Sequence, residues 1–319
     1  MTAAEYYRDE QVTLLLGDAL KQLRTLPDGS VDCIVTSPPY FGLRDYGTPG
    51  QYGLEPTPAA YVETMRAVLA EARRVLAADG TLWLNLGDSY ATQRSGDGTT
   101  KRSDKKGAAA AAPVSRPANA KNLLGIPWRT AFALQDDGWI LRNEIIWHKT
   151  NAMPESIKDR LSTRHEHLFL FAKQTRYWFD LNPIREPHVM RPQRRPSGHK
   201  ARQKLGVLPA QTYSTSRRDE PGVDGHPLGR NPGDVWSIPT RPYPAAHFAV
   251  FPIDLPLRCI KAGCKPGGTV LDPFSGSGTT GDAARRLGRK YVGIDLNPAY
   301  HDLAKQRFTQ GVLDLEVQG

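Results

Sequence analysis

Residues 269–295 constrain this chain more than any other stretch. Thr269-Val270-Leu271-Asp272 is a short apolar run ending on an acid, Pro273 to Gly278 is a glycine-containing turn, and residues 281–287 suit a helix. Lys290 to Asp295 then reads as a second strand, itself ending on an acid. A strand, a crossover helix and a strand give parallel neighbours and a right-handed connection. Gly276 and Gly278 let the backbone come close to a ligand. Asp295 lies about 20 residues past the turn, where a carboxylate can accept both ribose hydroxyls of a nucleoside.

The ligand class can be narrowed. A phosphate-binding P-loop needs Gly-Lys-Ser/Thr, and Ser277-Gly278-Thr279 has no lysine. Gly276, Gly278 and Gly281 do satisfy the G-x-G-x-x-G spacing of dinucleotide sites. Asp272-Pro273-Phe274 argues the other way. An acid at the strand end repels a pyrophosphate but can bond the ammonium of an amino-acid moiety. That favours S-adenosylmethionine over NAD, with no metal required.

A second strand-to-turn junction lies near the other end. Val31-Asp32-Cys33-Ile34-Val35 is a continuous run of the buried, parallel kind, and Thr36-Ser37-Pro38-Pro39-Tyr40 follows it. An exocyclic base amine is a weak nucleophile because its lone pair is delocalised into the ring. Methylating it needs acceptors that hold the amine hydrogens and turn the lone pair toward the donor. Ser37 Oγ and the Pro38 carbonyl suit that task, Pro38 and Pro39 stiffen the loop, and Tyr40 offers a face for stacking. Carbon-5 methylation needs a cysteine nucleophile, usually after proline. Cys33, Cys259 and Cys264 follow Asp32, Arg258 and Gly263, so that reaction is not expected.

Together these residues resemble the amino-methylating DNA methyltransferases whose catalytic motif precedes the cofactor motif, the β group. Thr36–Tyr40 matches their (D/N/S)-P-P-(Y/F/W) motif. Residues 270–280 resemble the methionine-binding motif, and 291–298 the ribose-binding acidic loop. The resemblance implies a doubly wound, mostly parallel seven-stranded α/β sheet of the Rossmann-like kind, with one antiparallel strand. It implies cofactor contacts from Asp272, Pro273, Phe274, Gly276, Gly278, Thr279, Thr280, Asp295 and Asn297. The segment 247–252 resembles the one that packs beside the cofactor, which adds Phe248 and Phe251. Trp147-His148-Lys149 resembles the segment flanking a flipped base, making Trp147 and Lys149 candidates for substrate contact. Ser-Pro-Pro-Tyr is commonest in members that methylate cytosine N4, and Asp-Pro-Pro-Tyr in those that methylate adenine N6. The expected activity is N4-cytosine methylation of duplex DNA by base flipping. Adenine N6, an inactive DNA-binding relative, and RNA or protein methylation remain alternatives.

The rest of the chain fits an enzyme with an insertion. Residues 11–16, 31–35 and 81–86 read as strands, and helical spacing runs from Pro58 to Leu76, with Asp79-Gly80 closing it. Residues 126–137 suit a helix, and 139–147 with 167–172 an antiparallel hairpin at a sheet edge. Residues 256–262 and 298–308 complete the helices. The stretch 92–118 is polar, basic and alanine-rich and reads as a flexible loop. From 183 to 245 apolar periodicity vanishes, and between Arg185 and Arg230 ten Arg or Lys face four acids. The resemblance places a target-recognition region at roughly 176–245, with Arg191, Arg194 and Arg195 as candidate DNA contacts. The division is then 1–175 as the catalytic half, 176–245 as the insertion and 246–319 as the cofactor half.

A net charge of +9 favours an acidic partner, here double-stranded DNA. Three cysteines without ligand spacing fit a reducing compartment. No secretory leader pattern opens the chain, and no apolar run approaches the roughly 20 residues of a membrane helix. The expectation is a cytoplasmic, nucleoid-associated monomer or homodimer of a restriction-modification system, with any cognate endonuclease encoded separately.

Overall fold

The computed structural model describes residues 4–91, 119–188, 226–241 and 251–316, with side chains in the last helix up to residue 309. Among the described residues nine strands form one sheet: β1 (Glu5–Arg8), β2 (Val12–Leu16), β3 (Val31–Thr36), β4 (Leu76–Leu86), β5 (Ile140–His148), β6 (His165–Ala172), β7 (Val235–Ser237), β8 (Thr269–Asp272) and β9 (Lys290–Asp295). Their order is β1-β2-β9-β8-β3-β4-β6-β5-β7. The pairs β2–β9, β9–β8, β8–β3 and β3–β4 are parallel, and β6 runs antiparallel to both β4 and β5. The seven expected strands, with one antiparallel member, are therefore present. The sheet exceeds them by β1, antiparallel on β2, and by the three-residue β7, parallel to β5.

Alternation along the strands sorts the core to two faces. Leu15, Ile34, Leu82, Leu84 and Leu271 pack with α1 (Ala19–Leu23), α2 (Pro58–Val75) and α3 (Ile126–Asp136). Leu14, Cys33, Val35, Trp83 and Val270 pack on the opposite face with α4 (Asp254–Gly263), α5 (Thr279–Arg286) and α6 (Pro298–Glu316). Each fully buried Leu, Val or Phe contributes about 1.5–3 kcal/mol relative to an exposed one. Local chemistry sets the helix starts. Asp18 caps α1 by accepting from Lys21 N at 2.9 Å, and Thr57 caps α2 from Ala60 N at 3.1 Å with Pro58 at the first helical position.

The chain leaves β3 through α2 to reach β4 on one side, and leaves β8 through α5 to reach β9 on the other. The order reverses between β8 and β3, whose register pairs Cys33 with Val270 and Ile34 with Leu271. In open α/β sheets a crevice opens beyond the carboxyl ends of strands at such a point. Ser37 and Pro273 stand at those two ends.

Several expectations are corrected. Asp79-Gly80 does not end α2, because β4 already begins at Leu76 and bulges between the pairs Val31–Leu76 and Cys33–Thr81. Gly80 is needed there for close approach: a Cβ would lie 2.5 Å from Leu76 Cδ1. The β5–β6 hairpin forms, but β7 covers its outer strand, so β5 is not the edge. The segment 176–245 is tied to the fold at both described ends, for Ile184 joins the core at one, and at the other Trp236 and Ile238 join it and β7 pairs with β5. Residues 92–118 lie outside the described residues.

Candidate active site

The crevice at the reversal is a cleft whose empty volume, mouth included, is about 1030 Å³. Ser37 and Pro39 from the first motif line it together with Asp272, Pro273, Phe274, Gly276 and Thr279 from the second. Asp295, Asn297 and Phe251 also line it, whereas Gly278 and Thr280 do not. Two motifs separated by more than two hundred residues thus share one wall, and a buried hydrogen bond joins them: Thr36 Oγ1 donates to Asp272 Oδ1 at 2.6 Å.

Asp272 is a tie between elements. Its Oδ1 also accepts from Phe274 N at 3.0 Å, and its Oδ2 accepts from Thr280 Oγ1 at 2.8 Å. Three internal bonds leave little of the carboxylate for a ligand, although it still borders the cleft. Thr280 is fully buried and faces Asp272, so its part is to hold the turn. Gly278 begins α5 in the left-handed region at φ +75°, and a Cβ there would lie 2.7 Å from Ala304 Cβ. Gly276 is also left-handed at φ +51° but faces open space.

Asp295 is the better-placed acceptor. Gly276 N donates to its Oδ2 and Asn297 N to its Oδ1, each at 2.8 Å, which fixes the carboxylate and leaves each oxygen a further lone pair. Burial pushes its pKa from 3.8 up to about 6, and burial does the same to Asp272, also to about 6. Because both folded values are raised, the stability these groups add to the unliganded protein is full below about pH 4 and lost as pH rises through about 6. Ligand binding follows the opposite sense. A protonated Asp295 gives up an acceptor, so affinity for a nucleoside cofactor is expected to weaken severalfold from pH 7.5 to pH 5. Calorimetric titration across this range checks it, and Asp295→Asn should flatten the profile.

The catalytic loop is held from several sides. Tyr61, fully buried on α2, donates to the Pro39 carbonyl at 2.9 Å. Pro38 is buried and Ser37 half-buried. Gly42 N donates to the Gly53 carbonyl at 2.7 Å, closing the loop beyond Tyr40. The Tyr40 hydroxyl donates to Glu166 Oε2 at 2.6 Å and accepts from Asn85 Nδ2 at 2.7 Å. Ser37 Oγ donates to Tyr40 Oη at 3.2 Å. Burial, and then the Glu166 carboxylate, push the Tyr40 phenol well above its ordinary value, so it stays protonated and donates. Glu166 is also ion-paired to Lys149.

Gly87 supplies the floor beneath Tyr40: a Cβ there would lie 2.5 Å from ring atom Cε2. Gly87→Ala is expected to displace the ring and lower turnover by tenfold or more, about 1.4 kcal/mol of barrier, without weakening cofactor binding. Comparing single-turnover rates with the cofactor Kd checks this.

Other predicted residues are placed differently. Trp147 is 3% exposed in the core, its Nε1 donating to the Ile238 carbonyl at 2.9 Å, so its ring is not open to a base. Lys149 Nζ lies 4.9 Å from that ring's centroid, and Trp147 thus supports the lysine. Phe248, Arg191, Arg194 and Arg195 lie outside the described residues. The sequence reading missed Asn85 and Glu166. Asn85 did carry a signal, as the one polar side chain within Leu82-Trp83-Leu84-Asn85-Leu86, a strand buried on both faces. It also missed Tyr52, whose hydroxyl donates to Asp18 Oδ2 at 2.6 Å while its ring meets Phe274 edge-on at 5.4 Å.

The cleft suits S-adenosylmethionine. Asp272 and Asp295 border it, Phe251, Phe274 and Tyr52 give apolar walls, and the turn backbone is open at Gly276. Among the described residues no cluster of His, Cys, Asp or Glu is placed to hold a metal ion, and no helix is long and apolar enough to cross a membrane. A doubly wound sheet with this cleft and a Ser-Pro-Pro-Tyr loop on its wall defines the class, a methyltransferase that uses S-adenosylmethionine.

Comparisons with known proteins make the class specific. A family model described as DNA methylase, for N6 and N4 methylation, matches residues 31–306. The Type II methyltransferase M.XycI of Xanthomonas campestris pv. cyanopsidis is 47% identical over 300 residues, covering 92% of this chain and 87% of that protein. M.Cfr9I of Citrobacter freundii is 45% identical over the same shares, and M.SmaI of Serratia marcescens 42% identical over 92% and 89%. Among solved structures, a Thermus thermophilus protein described as a putative DNA modification methylase and complexed with S-adenosyl-L-methionine superposes with a TM-score of 0.57. It is 26% identical, over 95% of each chain. The PvuII cytosine-N4-specific DNA methyltransferase superposes at 0.64 with 19% identity, over 96% of this chain and 89% of that one, a likeness of fold. The chain belongs to the N6/N4 DNA methylase family and is a Type II DNA methyltransferase.

Proposed function

We propose that this enzyme methylates the exocyclic N4 of cytosine in duplex DNA at one short recognition sequence. The observation that carries the reading is the single cleft wall on which Ser37 and Pro39 stand beside Asp272 and Asp295. A serine opens the catalytic motif, as in the N4-cytosine members that the motif resembles, and the PvuII enzyme of like fold is named for that base. The same loop with an aspartate in place of Ser37 would favour adenine N6, the second reading the family allows.

Bound S-adenosylmethionine supplies an electrophilic methyl group on sulfur. Asp295 accepts the ribose hydroxyls, Asp272 borders the amino-acid end, and Pro273, Phe274, Asn297 and Phe251 wall the site, with Phe248 close in sequence to Phe251. Duplex DNA is gripped through its phosphates by the basic insertion, including Arg191, Arg194 and Arg195, and binding weakens steeply with salt. The target base leaves the stack and enters the cleft. Ser37 Oγ and the Pro38 carbonyl accept the amine hydrogens, Tyr40 faces the base, and Lys149 is held nearby by its ion pair to Glu166. Positioning and exclusion of water lower the barrier. The protein acts in the cytoplasm on the nucleoid, as a monomer or homodimer, and any partner endonuclease acts separately. Competition of duplex DNA, RNA and protein for a labelled methyl group tests the substrate class. Label on duplex DNA is expected, and label chiefly on RNA or protein would overturn the reading.

A further inference from the structure

The buried cluster behind the catalytic loop does more than hold it. We propose that Glu166 is a positioning residue that makes Ser37 a pure hydrogen-bond acceptor and takes up the proton lost by the target amine. The inference rests on the amine-methylation reading above and adds two residues, Glu166 and Asn85, that no motif supplied.

The direction of each hydrogen bond follows from chemistry. Glu166 enters as a carboxylate and can only accept. Its Oε1 is ion-paired to Lys149, and its Oε2 faces Tyr40 and Asn85. The Tyr40 hydroxyl must therefore donate to Oε2, over 2.6 Å. Asn85 must turn its amide nitrogen toward the same carboxylate oxygen, at 2.8 Å, and that nitrogen also donates to Tyr40 Oη at 2.7 Å. With its only hydrogen committed, Tyr40 Oη can do nothing for Ser37 but accept from it, at 3.2 Å. The hydroxyl hydrogen of Ser37 then points away from the cleft. The Asn85 amide also approaches Ser37 Oγ, at a long 3.4 Å, and engages one lone pair at most. Lone-pair density is left on the side that a base amine would approach. A serine can donate or accept, and this chain of bonds selects acceptance. Ser37 thus acquires the acceptor character that an aspartate at this position has by itself.

The same chain gives the leaving proton a path. The amine lone pair forms the new nitrogen–carbon bond as the carbon–sulfur bond breaks and its electron pair stays on sulfur. The nitrogen must then lose one proton. It passes to Ser37 Oγ as the Ser37 proton passes to Tyr40 Oη and the Tyr40 proton to Glu166 Oε2. Serine and tyrosine end as they began, and Glu166 ends protonated, to be discharged to solvent between turnovers.

The test uses the full-length protein, DNA from a methylation-free host, and four variants: Glu166→Gln, Glu166→Asp, Tyr40→Phe and the Glu166→Gln/Tyr40→Phe double. Phenylalanine keeps the ring face and removes only the link. Glu166→Gln and Tyr40→Phe are each expected to lower kcat about a hundredfold, within the range for a lost proton-transfer group, with the KM for DNA and the cofactor Kd within about twofold of wild type. The double variant should be no slower than the slower single, because both changes break one chain. Glu166→Asp should recover part of the loss. If Glu166→Gln does not fold, Tyr40→Phe and Glu166→Asp carry the test. A Glu166→Gln enzyme with near wild-type kcat, or losses that multiply in the double variant, would overturn the proposal while leaving amine methylation standing. A wild-type enzyme that transfers no methyl group to a DNA amine would overturn both.

Discussion

Replacing Ser37 by alanine is expected to reduce methyl transfer by a hundred- to a thousandfold, roughly the cost of removing one preorganised polar partner from a developing charge. Ser37 lines the cleft on which the cofactor motif also stands, directly after Thr36, whose hydroxyl donates to Asp272 at 2.6 Å. That bond pins the backbone at Ser37 to the cofactor side of the site. Alanine leaves the strand, both prolines and this tie intact, so cofactor and DNA affinities should change little. The loss should fall on kcat, as expected for an interaction strongest in the transition state. Turnover within about threefold of wild type would remove Ser37 from its catalytic role.

The second large effect concerns the cofactor. Asp295→Ala is expected to weaken S-adenosylmethionine binding about a hundredfold or more, since hydrogen bonds to a charged group contribute about 1.5–3 kcal/mol each. Two of them would be lost to the ribose. The backbone N–H groups of Gly276 and Asn297 would also lose the acceptors that now hold both turns at 2.8 Å. Calorimetry with the cofactor alone measures this without DNA. An unchanged Kd would show that the nucleoside is held elsewhere. Asp272→Ala should act differently. Its three bonds go to Thr36, Phe274 and Thr280, so the variant is expected to lose thermal stability along with affinity.

The sequence announced the two halves of the site because each is a local signature. A strand must be apolar to be buried, a glycine turn must be glycine to come close to a ligand, and an acid at a strand end is conspicuous. Strand-helix-strand units at both ends of the chain pointed to a parallel sheet, and the resemblance to the β-group methyltransferases implied its doubly wound plan. What the sequence could not show is pairing between distant segments. β7 is Val235-Trp236-Ser237 inside a proline-rich stretch, and only its pairing with β5 makes it a strand. Trp147-His148-Lys149 resembles a segment that flanks a flipped base, yet the strand position of Trp147 turns its ring into the core. Glu166 sits between two histidines with no pattern to mark it, and it meets Tyr40 across 126 positions of sequence. Asp79-Gly80 resembles a helix stop, and its glycine instead serves a bulge at the start of β4.

Transfer of a methyl group to the N4 amine of cytosine at the Ser37 loop leaves its record in the bases themselves. The protein is expressed in a methylation-free host, and its DNA is digested to nucleosides and analysed by mass spectrometry, with single-molecule sequencing to locate the mark. N4-methylcytosine at one short motif is the expected result. N6-methyladenine in its place, or unmodified DNA from cells whose enzyme binds S-adenosylmethionine, would contradict it.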